Sequence, residues 1–109
     1  MTRENLPSRR GSITINFTHA LDRGGQAFPF RATFSAFDDG RLGELFLNSE
    51  GVLGTAIDVA ARDAAIAASL ALQFGCPIET LRNALTRDGD SDPAGVLGRA
   101  LDEITKVLR

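Results

Sequence analysis

His19 and Cys76 each occur once in the chain, and a cysteine with a histidine could supply a nucleophile and its base. A helix beginning after Cys76 would favour the thiolate form. Nothing in the spacing brings the two residues together, so we expect His19 to be an ordinary packed or exposed side chain and Cys76 a small buried apolar one. One cysteine also excludes an internal disulfide and a zinc site with several thiolates. The sequence therefore predicts no catalytic residue.

Two further segments have a partial ligand-binding pattern. Residues 88–92, DGDSD, are similar to the start of a calcium loop, but Pro93 stands where that loop needs glycine and Arg99 where it needs glutamate. The Gly51–Gly54 turn could present backbone N–H groups to an anion, although it lacks the lysine and glycine spacing of a phosphate loop. We predict no metal site and no cofactor site in this chain.

Five charged or reactive side chains are candidates for contacting a partner: Arg9, Arg10, Arg41, Glu44 and Cys76. Residues 1–10 are polar and lack hydrophobic periodicity, so we predict a flexible N-terminal arm followed by a single domain, 11–109. The arginines and the Gly51–Gly54 turn leave open a small regulatory protein that binds a nucleotide or another anion.

The composition limits the class of protein. The 109 residues are 43% hydrophobic and 24% charged, with a net charge of −2, which fits one ordinary globular domain and argues against nucleic-acid binding driven by bulk charge. No apolar run approaches the roughly 20 residues of a membrane span. The polar N-terminus lacks a signal core, so we expect a cytoplasmic protein.

The first half of the chain predicts three strands. Residues 11–19, 27–37 and 42–48 alternate apolar with polar side chains, and residues 38–41, DDGR, predict a hairpin with a primed turn. Pro29 cannot donate a ladder hydrogen bond, so the start of the second strand should lie at an edge or a bulge. Such a sheet, with one exposed edge, also leaves self-assembly open.

The second half predicts three helices. Residues 55–75 are rich in alanine, with a narrow polar stripe, which predicts a central helix buried around most of its circumference and ended by Gly75 in a left-handed cap. A second helix is predicted over 77–85, with Pro77 at its first position. A third should run from Asp92-Pro93 to the end, with Asp92 as N-cap. The predicted class is α+β: a three-stranded antiparallel sheet followed by three helices on one of its faces.

Two stretches carry a family resemblance: DGRLGELFLN over 39–48, and SLALQFGCPIETLRNAL over 69–85. Their order and spacing resemble the TSCPD domain of adenosylcobalamin-dependent ribonucleoside-diphosphate reductases, which also occurs as small stand-alone bacterial proteins. The resemblance covers about 13–108. At the family's Thr-Ser-Cys-Pro-Asp motif, however, this chain reads RALDEI over 99–104, in which Asp102 and Ile104 agree but the cysteine is missing.

The resemblance implies a role in deoxyribonucleotide synthesis, and adenosylcobalamin enters only by association with a full-length reductase. The chain lacks the reducing cysteine pair and the length for a catalytic barrel. We therefore expect a non-catalytic accessory domain that docks on a reductase chain. The alternatives are the nucleotide- or anion-binding regulator and a self-assembling module, as a homo-oligomer, with no link to the reductase.

Overall fold

Three strands precede three helices, as predicted. The computed structural model describes residues 2–7, 11–21, 24–50, 55–89 and 91–108. The elements are β1 Ile13–Ala20, β2 Ala27–Ala36, β3 Leu42–Ser49, α1 Thr55–Gln73, α2 Ile78–Ala84 and α3 Val96–Leu108. The α+β class and the element order are confirmed.

The strands form one antiparallel sheet in the order β1-β2-β3. The hairpin between β2 and β3 is confirmed, but its turn differs from the primed turn that was predicted. The Gly40 N–H donates to Phe37 O at 2.9 Å, and Gly40 has φ 91° while neither preceding aspartate has positive φ. This is a three-residue loop, in which only the glycine needs the left-handed conformation.

Pro29 lies where the β2–β3 ladder ends. The last residue pair of that ladder is Phe30 with Ser49, and beyond it the Glu50 N–H donates to Pro29 O at 2.9 Å. The missing N–H of Pro29 therefore costs no hydrogen bond within the sheet. The start of β2 is therefore unpaired only on its β3 side, whereas β1 pairs with it beyond Pro29, and the bulge of this strand lies at its other end.

The core lies between the sheet and the helices α1 and α3. Its largest fully buried side chains come from β2, β3 and α3: Phe30, Phe34, Leu45, Leu47, Leu101 and Ile104. Small residues of α1, among them Ala61, Ala65 and Ala68, are also buried, so this helix packs closely along β3. Large side chains of the sheet and α3 therefore pack against small side chains of α1.

The orientation of α1 differs from the prediction. Its polar stripe faces the sheet, because Ser69 and Gln73 are buried and hydrogen-bonded to β3. Its apolar side chains Val59 and Ile66 are instead 46% and 51% exposed. The helix is therefore not buried around most of its circumference. It lies along the outer edge of the sheet, where its polar atoms bond backbone groups that no strand pairs.

The end of α1 matches the prediction. Gly75 has φ 101°, its N–H donates to Leu72 O at 3.1 Å, and the Cys76 N–H donates to Ala71 O at 2.9 Å. These two bonds are those of a Schellman cap, which satisfies the last carbonyls of the helix. The chain can therefore turn directly towards α2.

The predicted starts of α2 and α3 were wrong. Pro77 is the N-cap of α2, with ψ 147°, and the helix begins at Ile78. The helix α3 begins at Val96, because Pro93 forms a bridge with Arg87 and is buried against Gly98. Tertiary packing of this proline therefore overrides the local start signal, and Asp92 is not the cap.

A cluster of charges holds α2, the following loop and α3 together. Asp102 accepts hydrogen bonds from Arg87 Nη2 at 3.0 Å and Arg82 Nε at 2.9 Å. The bond from Arg87 is the largest cause that lowers the pKa of Asp102, with a further contribution from Arg82. Arg87 also donates to the carbonyls of Arg82 and Ser91. This carboxylate therefore organises three segments of the chain.

Candidate functional site

A surface cavity of about 370 Å³ lies where the β2–β3 hairpin, the end of α1 and the start of α2 meet. Two of the predicted interaction residues, Arg41 and Cys76, line it together. Most of its wall is apolar, with side chains from four elements or their ends: Leu42, Leu72, Ile78 and Leu108. The cavity could accept an apolar group, and its polar atoms are few.

The charge of Arg41 is already compensated. Its Nη2 lies 2.8 Å from Glu4 Oε2, its Nε lies 2.7 Å from Asp39 Oδ2, and its guanidinium stacks 4.7 Å from the centre of the Phe37 ring. The bonds to Glu4 and Asp39 raise the pKa of Arg41, and the backbone and side chain of Arg41 lower the pKa of Asp39. An incoming anion would have to compete with two carboxylates for this side chain.

The N-terminal residues that contribute Glu4 lie against the domain. The Glu4 N–H donates to Gln73 O at 2.6 Å, and Arg3 Nε donates to Gln73 Oε1 at 2.6 Å. The Leu6 side chain occupies the space beside Gly43, where any Cβ would overlap it. In this structure residues 2–7 of the predicted arm are therefore packed in place. The division of the chain into an arm and a domain stays a prediction.

Cys76 and His19 are not brought together. Cys76 is half-buried at the cavity, near the hairpin, and its Sγ lies 3.7 Å from Pro77 O. His19 is near the other end of β1, six residues beyond Ile13, which would be roughly 20 Å along a strand. Its Nε2 donates to Ala94 O at 3.0 Å and Arg99 Nε approaches Nδ1 at 3.5 Å. His19 is therefore packed, which is one of the two ordinary placements that the sequence left open.

The other predicted interaction residues are separate from the cavity or outside the described residues. Glu44 is half-buried in β3, paired across the ladder with Ser35. Arg9, Arg10 and the Gly51–Gly54 turn lie outside the described residues. The proposal that these arginines and this turn bind an anion therefore stays a prediction.

An exposed apolar surface was missed in the sequence. It consists of Phe46 on β3 and Val59, Ile66 and Leu70 on α1, each between 40% and 51% exposed, and we call it the outer face. The three helix residues recur at spacings of seven and four, a pattern that the sequence already contained. Read from the sequence alone, that pattern is typical of a core-facing side. The signal that separates the two is the polar stripe next to it on α1, whose Ser69 and Gln73 are buried.

Within the described part of the chain, no three His, Cys, Asp or Glu side chains form a group that could hold a metal ion. Asp88 and Asp92 of the calcium-like segment instead form a local turn, in which the Asp88 N–H donates to Asp92 O at 2.8 Å. None of the helices, over the residues that are described, has the length and apolarity needed to cross a membrane.

Comparison with known proteins finds two reductases. The chain is 35% identical, over 97% of its length, to the vitamin B12-dependent ribonucleotide reductase of Agrobacterium fabrum, of which it spans 8%. It is 36% identical, over 77% of its length, to the enzyme of the same name from Bradyrhizobium diazoefficiens, of which the match spans 6%. No protein-family model matches, and no solved structure is significantly similar. The chain is thus similar to a small part of much longer enzymes.

Proposed function

We propose that this chain is a TSCPD-like domain that serves as a non-catalytic accessory module of a B12-dependent ribonucleotide reductase. It would dock on a separate reductase chain in the cytoplasm and act in deoxyribonucleotide supply. The observation that carries the proposal is the similarity itself, which extends over 97% of this chain but only 8% of the Agrobacterium enzyme.

The arrangement of the described residues supports a role in binding a partner more than a role in catalysis. The Cys–His pair is separated, Arg41 is held between carboxylates, and the described residues contain no metal-binding group. In this proposal, any adenosylcobalamin is held by the reductase chain on which this module docks. The activity of the long relatives is not assigned to this chain.

The outer face is the surface that we propose contacts the reductase. In the relatives, the matching region is a small part of a long chain, so its surface has other parts of the same protein to contact. Exposed apolar patches of a few hundred Å² with polar residues at their rim are typical of such contacts. Arg62 and Asp63 lie beside Ile66 in the depression at this face and supply that rim.

A co-purification experiment tests the proposal. The chain is mixed with the B12-dependent reductase of the same cell, and the complex is measured by size-exclusion chromatography and by binding to the immobilised chain. We expect Ile66→Asp to weaken binding at least about tenfold, because a desolvated carboxylate in an apolar contact is costly. Val107→Asp is the matched control, since Val107 is 45% exposed on α3, away from the outer face.

Two results would overturn parts of the proposal. Absence of binding by the unmodified chain would exclude docking on this reductase. Equal weakening by Val107→Asp and Ile66→Asp would leave docking intact but exclude the outer face as the contact. Circular dichroism of both variants confirms that each remains folded.

A further inference from the structure

The outer edge of β1 is open, whereas that of β3 is closed by α1. Among the described residues no strand lies outside β1, which pairs with β2 alone. At the other side of the sheet, Ser69 Oγ lies 2.9 Å from Leu45 N and 3.0 Å from Leu45 O, and Gln73 Nε2 donates to Gly43 O at 2.9 Å. Over the described residues, each chain thus has one sheet edge available for strand pairing.

The hydrogen bonds of β3 determine which residues of β1 point outwards. Leu45 directs its N–H and C=O away from β2, towards α1. Its cross-strand partner Phe34 must therefore direct its N–H and C=O away from β3, towards β1. On β1, Phe34 is paired with Ile13. In an antiparallel pair these directions alternate along a strand. The alternation requires Pro29, five residues before Phe34, to direct its carbonyl towards β3. The hydrogen bond from the Glu50 N–H to Pro29 O shows this direction independently.

It follows that Thr14, Asn16 and Thr18 direct their backbone N–H and C=O groups away from β2. All three side chains are exposed. The strand has no proline, lysine or bulge among its residues, so the usual devices that prevent edge-to-edge pairing are missing.

We propose that β1 pairs antiparallel with β1 of a second copy of this chain, around a two-fold axis at Asn16. In that register Asn16 faces the partner's Asn16 and Thr14 faces the partner's Thr18. All outward backbone groups of these residues then join hydrogen-bonded pairs, roughly six bonds in total. The proposal is independent of the similarity to the reductases.

The side chains of β1 favour a second copy of this chain as the strand that pairs with its open edge. The residues of β1 include no Asp, Glu, Lys or Arg, so two copies bring no like charges together. On the helix-covered face, Ile15 would lie opposite the partner's Phe17. Ile13, which is 47% exposed and shares a depression with Leu108, would be covered opposite the partner's His19. An apolar cross-strand pair such as Ile15 with Phe17 stabilises an antiparallel sheet.

The closed edge at β3 sets the size of the assembly. Pairing at β1 produces a six-stranded sheet whose two outer strands are both β3, and side chains of α1 occupy each of them. An isologous contact of this kind closes at two copies. The proposal therefore specifies a dimer rather than a filament.

Light scattering coupled to size exclusion, over a series of concentrations, measures the mass. We expect twice the chain mass of 11.6 kDa. Asn16→Lys and Asn16→Glu each place like charges opposite one another at the axis, so each should weaken the dimer at least about tenfold. An equimolar mixture of the two should restore it, because the charges are then opposite. Restoration shows that each variant remains folded.

Amide exchange on the unmodified chain provides a test that needs no variant. The amides of Thr14, Asn16 and Thr18 should be protected at high concentration and exchange rapidly after dilution, while those of Ile15 and Phe17 stay protected throughout. A monomer at all concentrations up to about 1 mM, a dimer unaffected by both Asn16 variants, or assemblies larger than two copies would each overturn the proposal.

Discussion

Ser69 bonds both backbone groups of Leu45: its Oγ accepts from the Leu45 N–H at 2.9 Å and donates to Leu45 O at 3.0 Å. One hydroxyl of α1 thereby takes the place of a neighbouring strand at this position of β3. The three groups are buried, and no buried polar side-chain atom among the described residues is left without a partner.

Ser69→Ala should destabilise the domain, because it leaves a buried N–H and C=O unsatisfied. We expect a loss of about 1–3 kcal/mol in the free energy of unfolding, measured by urea denaturation. Asp63→Ala is the matched control. Asp63 lies on the exposed side of the same helix, and its replacement should change that free energy by less than about 0.5 kcal/mol.

Asp102→Asn should remove a pH-dependent part of the stability. Because hydrogen bonds from Arg87 and Arg82 lower the pKa of Asp102 in the folded chain, its contribution is complete above the unfolded value, about 3.9, and falls away as the pH drops through the lower folded value. The variant should lose about 1–3 kcal/mol at pH 7.

The unfolding free energies of the Asp102→Asn variant and the unmodified chain should therefore differ by a constant amount between about pH 5 and 8 and converge below about pH 4. Asp63→Asn, on the exposed side of α1, is the control for replacing a carboxylate elsewhere in the chain. A difference for Asp102→Asn that is the same at every pH would contradict the assignment of the shift to this carboxylate.

Gly43→Ala should displace the N-terminal residues from the domain. A Cβ at Gly43 would overlap the Leu6 side chain and lie 3.3 Å from the Phe37 ring. We expect faster deuterium exchange at the Glu4 amide, which in this structure donates to Gln73 O. Leu6→Ala should also speed deuterium exchange at the Glu4 amide, and it adds no atom near the Phe37 ring. An unchanged exchange rate in both variants would show that Leu6 does not hold these residues.

Nucleotides at about 1 mM should shift the melting temperatures of the unmodified chain and of Arg41→Ala equally, within about 1 °C, because Arg41 is already bonded to Glu4 and Asp39. Differential scanning fluorimetry with nucleoside mono-, di- and triphosphates makes this measurement. A rise of several degrees that Arg41→Ala abolishes would favour the alternative of a nucleotide-binding regulator.

Local signals in the sequence were sufficient to predict the strands of the sheet and the end of one helix. Alternation predicted all three strands, residues 38–41 predicted the hairpin, and Gly75 predicted the cap of α1, because each signal acts through neighbours a few residues away. The start of α3 was missed because it depends on how Pro93 packs against Gly98. The exposed side of α1 was missed because Ser69 reaches a partner 24 residues away.

The candidate site was predictable only in part. Arg41 and Cys76 were singled out separately, and the cavity that joins them depends on how the hairpin meets the end of α1. The compensation of Arg41 depends on Glu4, 37 residues away in the chain. Contacts over such distances have no periodic signature in one sequence, so residue type alone overestimated how available this arginine is.

The polar stripe of α1 also governs whether a pair of chains could grow into a polymer. Ser69 and Gln73 bond backbone groups at the outer edge of β3, so another strand cannot pair there. Both side chains belong to a helix rather than to the strand whose edge they occupy. Because the β3 groups that they bond are buried under α1, the helix would have to open locally before β3 could pair with another chain. Resistance of this edge to fibril formation therefore depends on how firmly α1 is held against the sheet.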